Sequence, residues 1–286
     1  HCTSSAASDV YKRQLQGDKV KTLISVTLLL FSINIFSMTS EQKEQFCSPY
    51  IKVKLYDSLN HIGFLNRGGI ANAGVCWWHS RLLRNATFMA YYSPAKKKPI
   101  VAYVLKTVSK GKKKNVPLKG SVMDILQRLK KAKKPVEIPG YANFNEFTKA
   151  HQKEVQKLLD NWQIEDGILK LSWVSGLKGK TKTTSKHLKT IMDKTYSKVL
   201  KGEVVFHKLQ LEGISAHAWL VIGMREIPNG YRLDIVDSNF SGIINYYYQI
   251  GETSFYTSSY GNFVPYIENS KEFKKMTKNR SKVCQK

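Results

Sequence analysis

Apolar residues recur every three to four positions up to about residue 200, which is typical of helices with one buried face. The predicted helices cover residues 76–93, 122–129, 143–162 and 185–200. Beyond about residue 200 the apolar residues form short β-branched runs separated by turn residues, which favours strands. The predicted strands cover residues 204–211, 216–224, 231–236, 246–250 and 254–260, with two more at 51–55 and 101–108. Helices followed by an antiparallel sheet predict an α+β fold rather than alternating βα units.

An uncharged apolar run at residues 22–37 follows two lysines and precedes several small residues. This is the layout of a secretory signal peptide, which we assign to residues 15–40. The run is shorter than the about 20 residues of a membrane span, although an uncleaved anchor is the alternative. The expectation is therefore a secreted or periplasmic protein. Residues 1–14 resemble a translated sequencing-adaptor leader and are expected to be non-native, so that the folded domain covers residues 41–286.

Lysine and arginine number 46 against 21 acidic residues, which gives a formal charge of +25. The excess is concentrated in residues 96–134, interpreted as a lysine-rich insertion, where Asp124 is the only acid. Such runs usually form solvated faces, and an excess of this size also favours attraction to an anionic surface such as lipid or a wall polymer. The sequence has no nucleic-acid-binding motif and no aromatic residues interleaved with the lysines, so specific nucleic-acid binding is not expected.

Three cysteines remain when the leader is set aside: Cys47, Cys76 and Cys284. Export implies an oxidising compartment, in which thiols tend to pair. Cys47 and Cys284 lie near the two ends of the expected domain, and chain ends often lie close together on a domain surface. We therefore predict a Cys47–Cys284 disulfide. Cys76 is left over, and an unpaired cysteine in a secreted chain is a candidate reactive thiol.

Cys76 follows a glycine-rich turn at residues 66–75 and opens a predicted helix. A helix N-terminus favours the thiolate form of a cysteine, because exposed N–H groups and the helix dipole stabilise the anion. The N–H groups freed by a glycine turn are also suited to binding an oxyanion. The alternative is a buried cysteine that acts only as a small apolar side chain.

His217 lies within an apolar predicted strand, where a lone imidazole requires a buried partner. A turn containing Pro, Asn and Gly follows, and the returning strand ends at Asp237. Because the two strands of an antiparallel pair lie side by side, we expect Asp237 close to His217, where a carboxylate fixes the tautomer of the ring. Asn239 is the reserve candidate for the carboxylate's role, His61 and His79 are rival bases, and a hydrogen-bonded core histidine is the alternative.

Three stretches together carry a family resemblance: Gly74-Val75-Cys76-Trp77 opening a helix, Ala216-His217-Ala218 in a strand, and the strand that ends at Asp237-Ser238. They resemble the nucleophile and histidine segments of papain-like cysteine peptidases, in which the order is also Cys, His, Asn or Asp. The resemblance implies a papain-like α+β fold, with a helical part that carries the nucleophile packed against an antiparallel sheet that carries the other two residues. It also implies thiolate attack on an amide carbonyl of a protein or peptide substrate, with no metal or organic cofactor.

The chain departs from the family pattern near the nucleophile and after the carboxylate. The glutamine that the family usually places before the nucleophile is missing, and we expect Asn72 together with the backbone N–H of Cys76 to bind the oxyanion. Asp237 stands where the family usually has Asn, and no Trp follows Ser238.

The same residues also resemble the transglutaminase-like core, which uses a triad of the same order. The cysteine and histidine of that core are normally much closer in sequence than the 141 positions between Cys76 and His217. A transglutaminase-like acyltransferase is therefore one alternative, and a non-catalytic cationic binding protein on this scaffold is another. As a whole, the sequence predicts an exported cysteine hydrolase, with a peptidase as the leading interpretation.

Overall fold

The computed structural model describes residues 38–69, 75–109, 112–168, 181–211, 216–267 and 271–285. The predicted leader at 1–14, most of the predicted signal peptide at 15–40, and Asn72 lie outside the described residues. The chain from Glu41 to Lys286 forms one folded unit. In the described part of the chain, no helix is both long and apolar enough to cross a bilayer.

The described part of the chain contains seven α-helices and ten strands, together with 3₁₀ helices at Ile51–Tyr56 and Ser58–Asn60 and a π-helical segment at Ile164–Ile168. The helices are α1 (Ser40–Cys47), α2 (Cys76–Met89), α3 (Val122–Lys131), α4 (Phe144–Ala150), α5 (Gln152–Gln163), α6 (Ser185–Leu200) and α7 (Lys271–Cys284). The strands are β1 (Ala90–Ser93), β2 (Tyr103–Ser109), β3 (Lys112–Pro117), β4 (Val136–Pro139), β5 (Val205–Gln210), β6 (Ala216–Ile227), β7 (Gly230–Asp237), β8 (Ile244–Gln249), β9 (Phe255–Thr257) and β10 (Gly261–Ile267). The predicted α+β class is confirmed.

The main sheet is six-stranded and antiparallel, in the order β8-β7-β6-β5-β10-β9. Side chains alternate along β6: Ala218 and Leu220 belong to the core shared with α2, whereas Trp219 and Val221 belong to the core shared with α6. Both faces of the sheet are therefore covered by helices. β1 and β4 form a separate parallel pair, and β2 and β3 form a separate hairpin.

Helix α2 is buried on nearly all sides. The sequence places Arg84 and Asn85 off its apolar face, yet they are 1% and 0% exposed. Arg84 lies over the ring of Phe206 and near the carboxylate of Glu272, and Asn85 Nδ2 donates to the backbone carbonyl of Leu129. These contacts hold both polar side chains within the core and attach the middle of α2 to its neighbours.

The strand predicted at residues 51–55 is wrong, because Ile51–Tyr56 forms a 3₁₀ helix. Apolar residues alternate with lysines here, which fits a strand. Ile51 and Leu55, four positions apart, are nevertheless buried together, while Val53 is 51% exposed. Five residues are too few to separate a period of two from a period of four.

The single helix predicted at residues 143–162 is divided into α4 and α5 at His151. This residue leaves the helical conformation, with φ −121° and ψ 36°, and its Nε2 lies 2.9 Å from the hydroxyl of Tyr141. The prediction of strands at the C-terminal end was incomplete, since β10 is an additional strand inserted beside β5.

The lysine-rich segment at residues 96–134 contains the β2–β3 hairpin and α3. Lys106 and Lys114 face each other across the hairpin, and both are exposed. Like charges in direct opposition are unfavourable, so this hairpin is tolerated only because water and counterions screen its lysines.

His207 in β5 is a fully buried histidine whose two ring nitrogens are both bonded to neutral partners. Trp219 Nε1 donates to Nδ1 at 3.3 Å, and Nε2 lies 2.9 Å from Thr195 Oγ1. Because Nδ1 accepts from Trp219, Nε2 carries the proton and donates to Thr195. Burial lowers the pKa of His207 to about 3, since a second proton has no acceptor here.

This lowered pKa predicts a loss of stability in mild acid. The unfolded chain binds a proton at His207 below about pH 6.5 and the folded chain does not, so the free energy of unfolding falls as pH falls. Between about pH 6.5 and about pH 5 the expected loss from this residue is about 2 kcal/mol. Urea unfolding at both pH values measures it. His207→Gln, which keeps an acceptor and a donor, should show a smaller dependence on pH, and an equal dependence would contradict the assignment.

Candidate active site

Cys76 is the first residue of α2, and Val75 is the N-cap. The side chain of Val75 has no oxygen with which to accept a hydrogen bond, so the cap leaves the first N–H groups of the helix without the usual side-chain partner. Cys76 is 3% exposed and, among the cysteines that the structure describes, it is the one with a free thiol. The thiol therefore lies where a helix terminus stabilises negative charge.

His217 and Asp237 are hydrogen-bonded to each other at the same end of the sheet. His217 Nε2 lies 2.8 Å from Asp237 Oδ1. The residues are 3% and 2% exposed. The pair is therefore removed from water, where a charge-assisted hydrogen bond is stronger than at a surface.

A β-bulge in β6 brings Asp237 to the face of the sheet that carries His217. The register between β6 and β7 shifts by one residue at Ile222. If the register next to the hairpin turn continued without this shift, Asp237 would pair with Leu220. Its side chain would then lie on the opposite face of the sheet from His217. With the shift Asp237 pairs with Trp219, which shares a face with His217 two residues away. The β-bulge is therefore needed to bring Asp237 close to His217, and the hairpin turn alone does not predict it.

Tyr260 and Asn239 complete the hydrogen bonding of the pair. The Tyr260 hydroxyl donates to Asp237 Oδ2 at 2.9 Å and lies 3.0 Å from His217 Nε2, with its ring against the imidazole at 4.6 Å. The backbone N–H of Asn239 donates to Asp237 Oδ1, and its side-chain amide donates to the Tyr260 hydroxyl. Both carboxylate oxygens are therefore bonded, and the position of the imidazole is fixed from two sides.

These bonds decide the tautomer of His217. Nε2 faces acceptor oxygens of Asp237 and Tyr260, so it carries the proton and Nδ1 is the nitrogen available to Cys76. Burial by itself lowers the pKa of His217, but its interaction with Cys76 and the hydrogen bond to Asp237 outweigh this effect and raise the pKa well above its usual value. The imidazolium form is thereby favoured beside the thiol.

Two contacts attach the start of α2 to the start of β6. Trp77 Nε1 donates to the backbone carbonyl of His217 at 3.0 Å, and Cys76 Sγ lies 3.9 Å from the carbonyl of Ala216. The side chain next to the nucleophile therefore holds the backbone of the histidine. This explains structurally why a tryptophan follows the cysteine.

The structure brings Cys76, His217 and Asp237 together. Asn72, expected to bind the oxyanion, lies outside the described residues. The rival histidines make different bonds: His61 Nε2 lies 2.7 Å from the carbonyl of Leu55, and His79 Nε2 lies 3.3 Å from that of Phe64. Burial lowers the pKa of both rings, for His79 to about 4, so each is a neutral structural histidine.

Sequence reasoning missed Tyr260, because nothing in its neighbourhood sets it apart from the other tyrosines between residues 246 and 260. It lies in the turn between β9 and β10, and β10 crosses the sheet to pair with β5. Only the order of the strands shows that this turn reaches the site.

Removal of the Tyr260 hydroxyl is expected to slow alkylation of Cys76 about tenfold near pH 7, because a buried oxygen of Asp237 loses its donor and orients His217 less well. The Tyr260→Phe variant keeps the ring contact, and Tyr256→Phe, at a 63% exposed position, is the control. The rate of iodoacetamide labelling across pH measures the effect. Above about pH 9, where thiols ionise without help, the two variants should converge. A uniform slowing at every pH would indicate a general structural defect instead.

Comparisons with protein-family models, with curated proteins and with solved structures found no match to this chain. The functional proposal therefore rests on the geometry of the site. Among the described residues, no group of three or more His, Cys, Asp and Glu side chains is arranged to hold a metal ion.

Proposed function

We propose that the protein is a cysteine hydrolase that acts on amide bonds of proteins or peptides. The observation that carries the proposal is the buried hydrogen bond between His217 and Asp237, with Cys76 beside the same imidazole. A nucleophilic thiol requires a base next to it and a third group that orients the base. This chain has one residue for each role, all at the same end of one sheet.

A second buried histidine in the same sheet supports this assignment by contrast. His207 is held by neutral donors and acceptors, and burial lowers its pKa. His217 is equally buried, but a carboxylate and a thiol raise its pKa. A core histidine needs only partners like those of His207, whereas the partners of His217 are those of a general base and acid.

The proposed reaction begins with the Cys76 thiolate and protonated His217. The sulfur attacks the carbonyl carbon, and the electron pair of the carbonyl bond moves onto oxygen near the N–H groups at the start of α2. The C–N bond then breaks as His217 gives its proton to the leaving nitrogen, which leaves a thioester on Cys76. Water attacks the thioester while His217 removes its proton, and release of the acid restores the thiolate and the imidazolium.

We also propose that the arrangement is papain-like. A nucleophile at the first turn of a buried helix, packed against an antiparallel sheet that carries the histidine and the carboxylate, supports that arrangement. Asp237 takes the place of the third group, and the ring of Tyr260 covers the His217–Asp237 pair.

An exported location is part of the proposal. Cys47 and Cys284 form a disulfide that joins the ends of α1 and α7. Disulfides of this kind persist in oxidising compartments and are rare in the cytosol. This supports a secreted or periplasmic protein.

Incubation with a complex peptide mixture tests the proposal, because mass spectrometry then detects new termini whatever the sequence of the substrate. Wild type should generate cleavage products, and Cys76→Ala should reduce them by at least about 1,000-fold. Addition of a small primary amine separates hydrolysis from acyl transfer, since an acyltransferase would form the amide of that amine. Cleavage that persists in Cys76→Ala would refute the proposed role of the thiol.

A further inference from the structure

A cavity of about 230 Å³ lies beside Asp237. We call it the flank cavity: it lies between α2, the end of β7 with the loop that follows it, and the segment of residues 58–65. Pockets for drug-sized ligands typically occupy about 300–1,000 Å³. The flank cavity is therefore large enough for one side chain and too small for most complete ligands.

The flank cavity lies against the face of α2 that carries the nucleophile. The residues of α2 that line it are His79, Ser80 and Leu83. They follow Cys76 by three, four and seven positions, which places all four on one face of the helix. With a rise of about 1.5 Å per residue, the cavity begins about 5 Å along the helix axis from Cys76 and extends to about 10 Å. Substrate side chains next to a bond that the Cys76 thiol attacks would lie within this distance of Cys76.

Apolar atoms make up most of the surface that lines the flank cavity, although polar side chains also contribute to it. The apolar side chains that line the flank cavity are Ile62, Phe64, Leu65, Leu83, Val236 and Phe240. Leu65 and Phe240 are partly exposed, at 47% and 38%, whereas Leu83 is buried. Apolar walls that are buried at depth and exposed at the rim fit an apolar group that enters from solvent.

The polar groups that line the flank cavity offer little charge with which a ligand could form an ion pair. Burial lowers the pKa of His61 and His79, so both rings are neutral near pH 7. Asp237 is the one charged residue among the described residues that line the flank cavity, and its oxygens already accept bonds from His217, Tyr260 and Asn239. A charged ligand group would lose its hydration here without gaining an ion pair. The lining therefore selects against charge.

The position of the flank cavity also indicates which part of a substrate it holds. In the proposed reaction His217 protonates the leaving nitrogen, so the leaving part of the substrate lies on the His217 side of Cys76. Asp237, which is bonded to His217, lines the cavity. We propose that the flank cavity binds an uncharged apolar or aromatic side chain on the leaving-group side of the scissile bond; this inference rests on the proposed hydrolase function.

The test is the cleavage profile of the full chain on a peptide mixture, read by mass spectrometry. In the first two positions after the cut, wild type should favour Leu, Met and Phe over Asp, Glu and Lys by at least about tenfold. Leu83→Phe fills the cavity and should change the preference in these positions from Leu, Met and Phe to Ala and Gly. Ser241→Trp, at an exposed position of the rim, is a second filling variant that does not disturb the buried helix.

Ser281→Trp is the matched control, because Ser281 is exposed on α7 and does not line the flank cavity. Its profile should equal that of wild type. Cleavage that depends on Cys76 but has no apolar preference after the cut, or a preference that both filling variants leave unchanged, would overturn this inference alone. Absence of any cleavage that depends on Cys76 would overturn the proposed function and this inference with it.

Discussion

Replacement of His217 by Ala is expected to slow the reaction of Cys76 with iodoacetamide by about 100-fold near pH 6.5. An isolated thiol, with a pKa of about 8.5, is only about 1% ionised at that pH. In the folded protein the raised pKa of His217 keeps an imidazolium beside the sulfur, and the helix terminus adds a further favourable charge. Loss of the ring removes the larger of these two effects.

Mass spectrometry of the peptide that contains Cys76 measures the labelling rate, so that other thiols do not contribute. His217→Gln is a second variant, since its amide can still donate to Asp237 and thereby protect the fold from a buried unpaired carboxylate. His151→Ala is the control, because that histidine bonds Tyr141 at the end of α4. Equal rates in wild type and both His217 variants, with the fold intact by circular dichroism, would refute the thiol–imidazole pair.

The three residues of the site are recognisable in the sequence because each has a local signal. Cys76 ends a glycine-rich turn and begins a helix, and His217 interrupts an apolar strand. Asp237 ends the strand that returns from a tight turn, in which Asn229 has the left-handed φ of 60° typical of such turns. These signals predict which strands are neighbours, and neighbouring strands bring the residues within a few ångströms.

The sequence does not predict on which face of the sheet the side chain of Asp237 lies. The bulge at Ile222 has one local marker, Gly223, which follows it directly, and a glycine inside a strand does not by itself establish a bulge. Gly223 has no room for a Cβ, because Asp234 and the hydroxyl of Tyr56 occupy that space. The bulge is thus explained by packing between distant segments, which periodicity cannot reveal. The same is true of Tyr260, which depends on the non-local pairing of β10 with β5.

The disulfide is expected to contribute the largest single share of stability. Cys47 and Cys284 are 237 positions apart, so the bond closes a loop that includes almost the entire folded unit. In the chain-entropy account, a loop of this length restricts the unfolded chain by about 5 kcal/mol, and measured values are usually lower. We therefore expect the Cys47→Ser and Cys284→Ser double variant to lose about 3–5 kcal/mol of unfolding free energy.

Urea unfolding of wild type and the double variant measures this loss, and a reductant should destabilise wild type while leaving the double variant unchanged. Contacts around the disulfide limit the effect in the folded state: Arg280 donates to the carbonyl oxygens of Phe46 and Ser48, so α1 and α7 remain attached without the bond. The loss should therefore appear in the unfolding free energy more than in the labelling rate of Cys76. An unfolding free energy unchanged within about 1 kcal/mol would contradict the prediction. A collapse of labelling at low urea would instead show that α7, which contacts α2 through Phe273 and Phe88, supports the site directly.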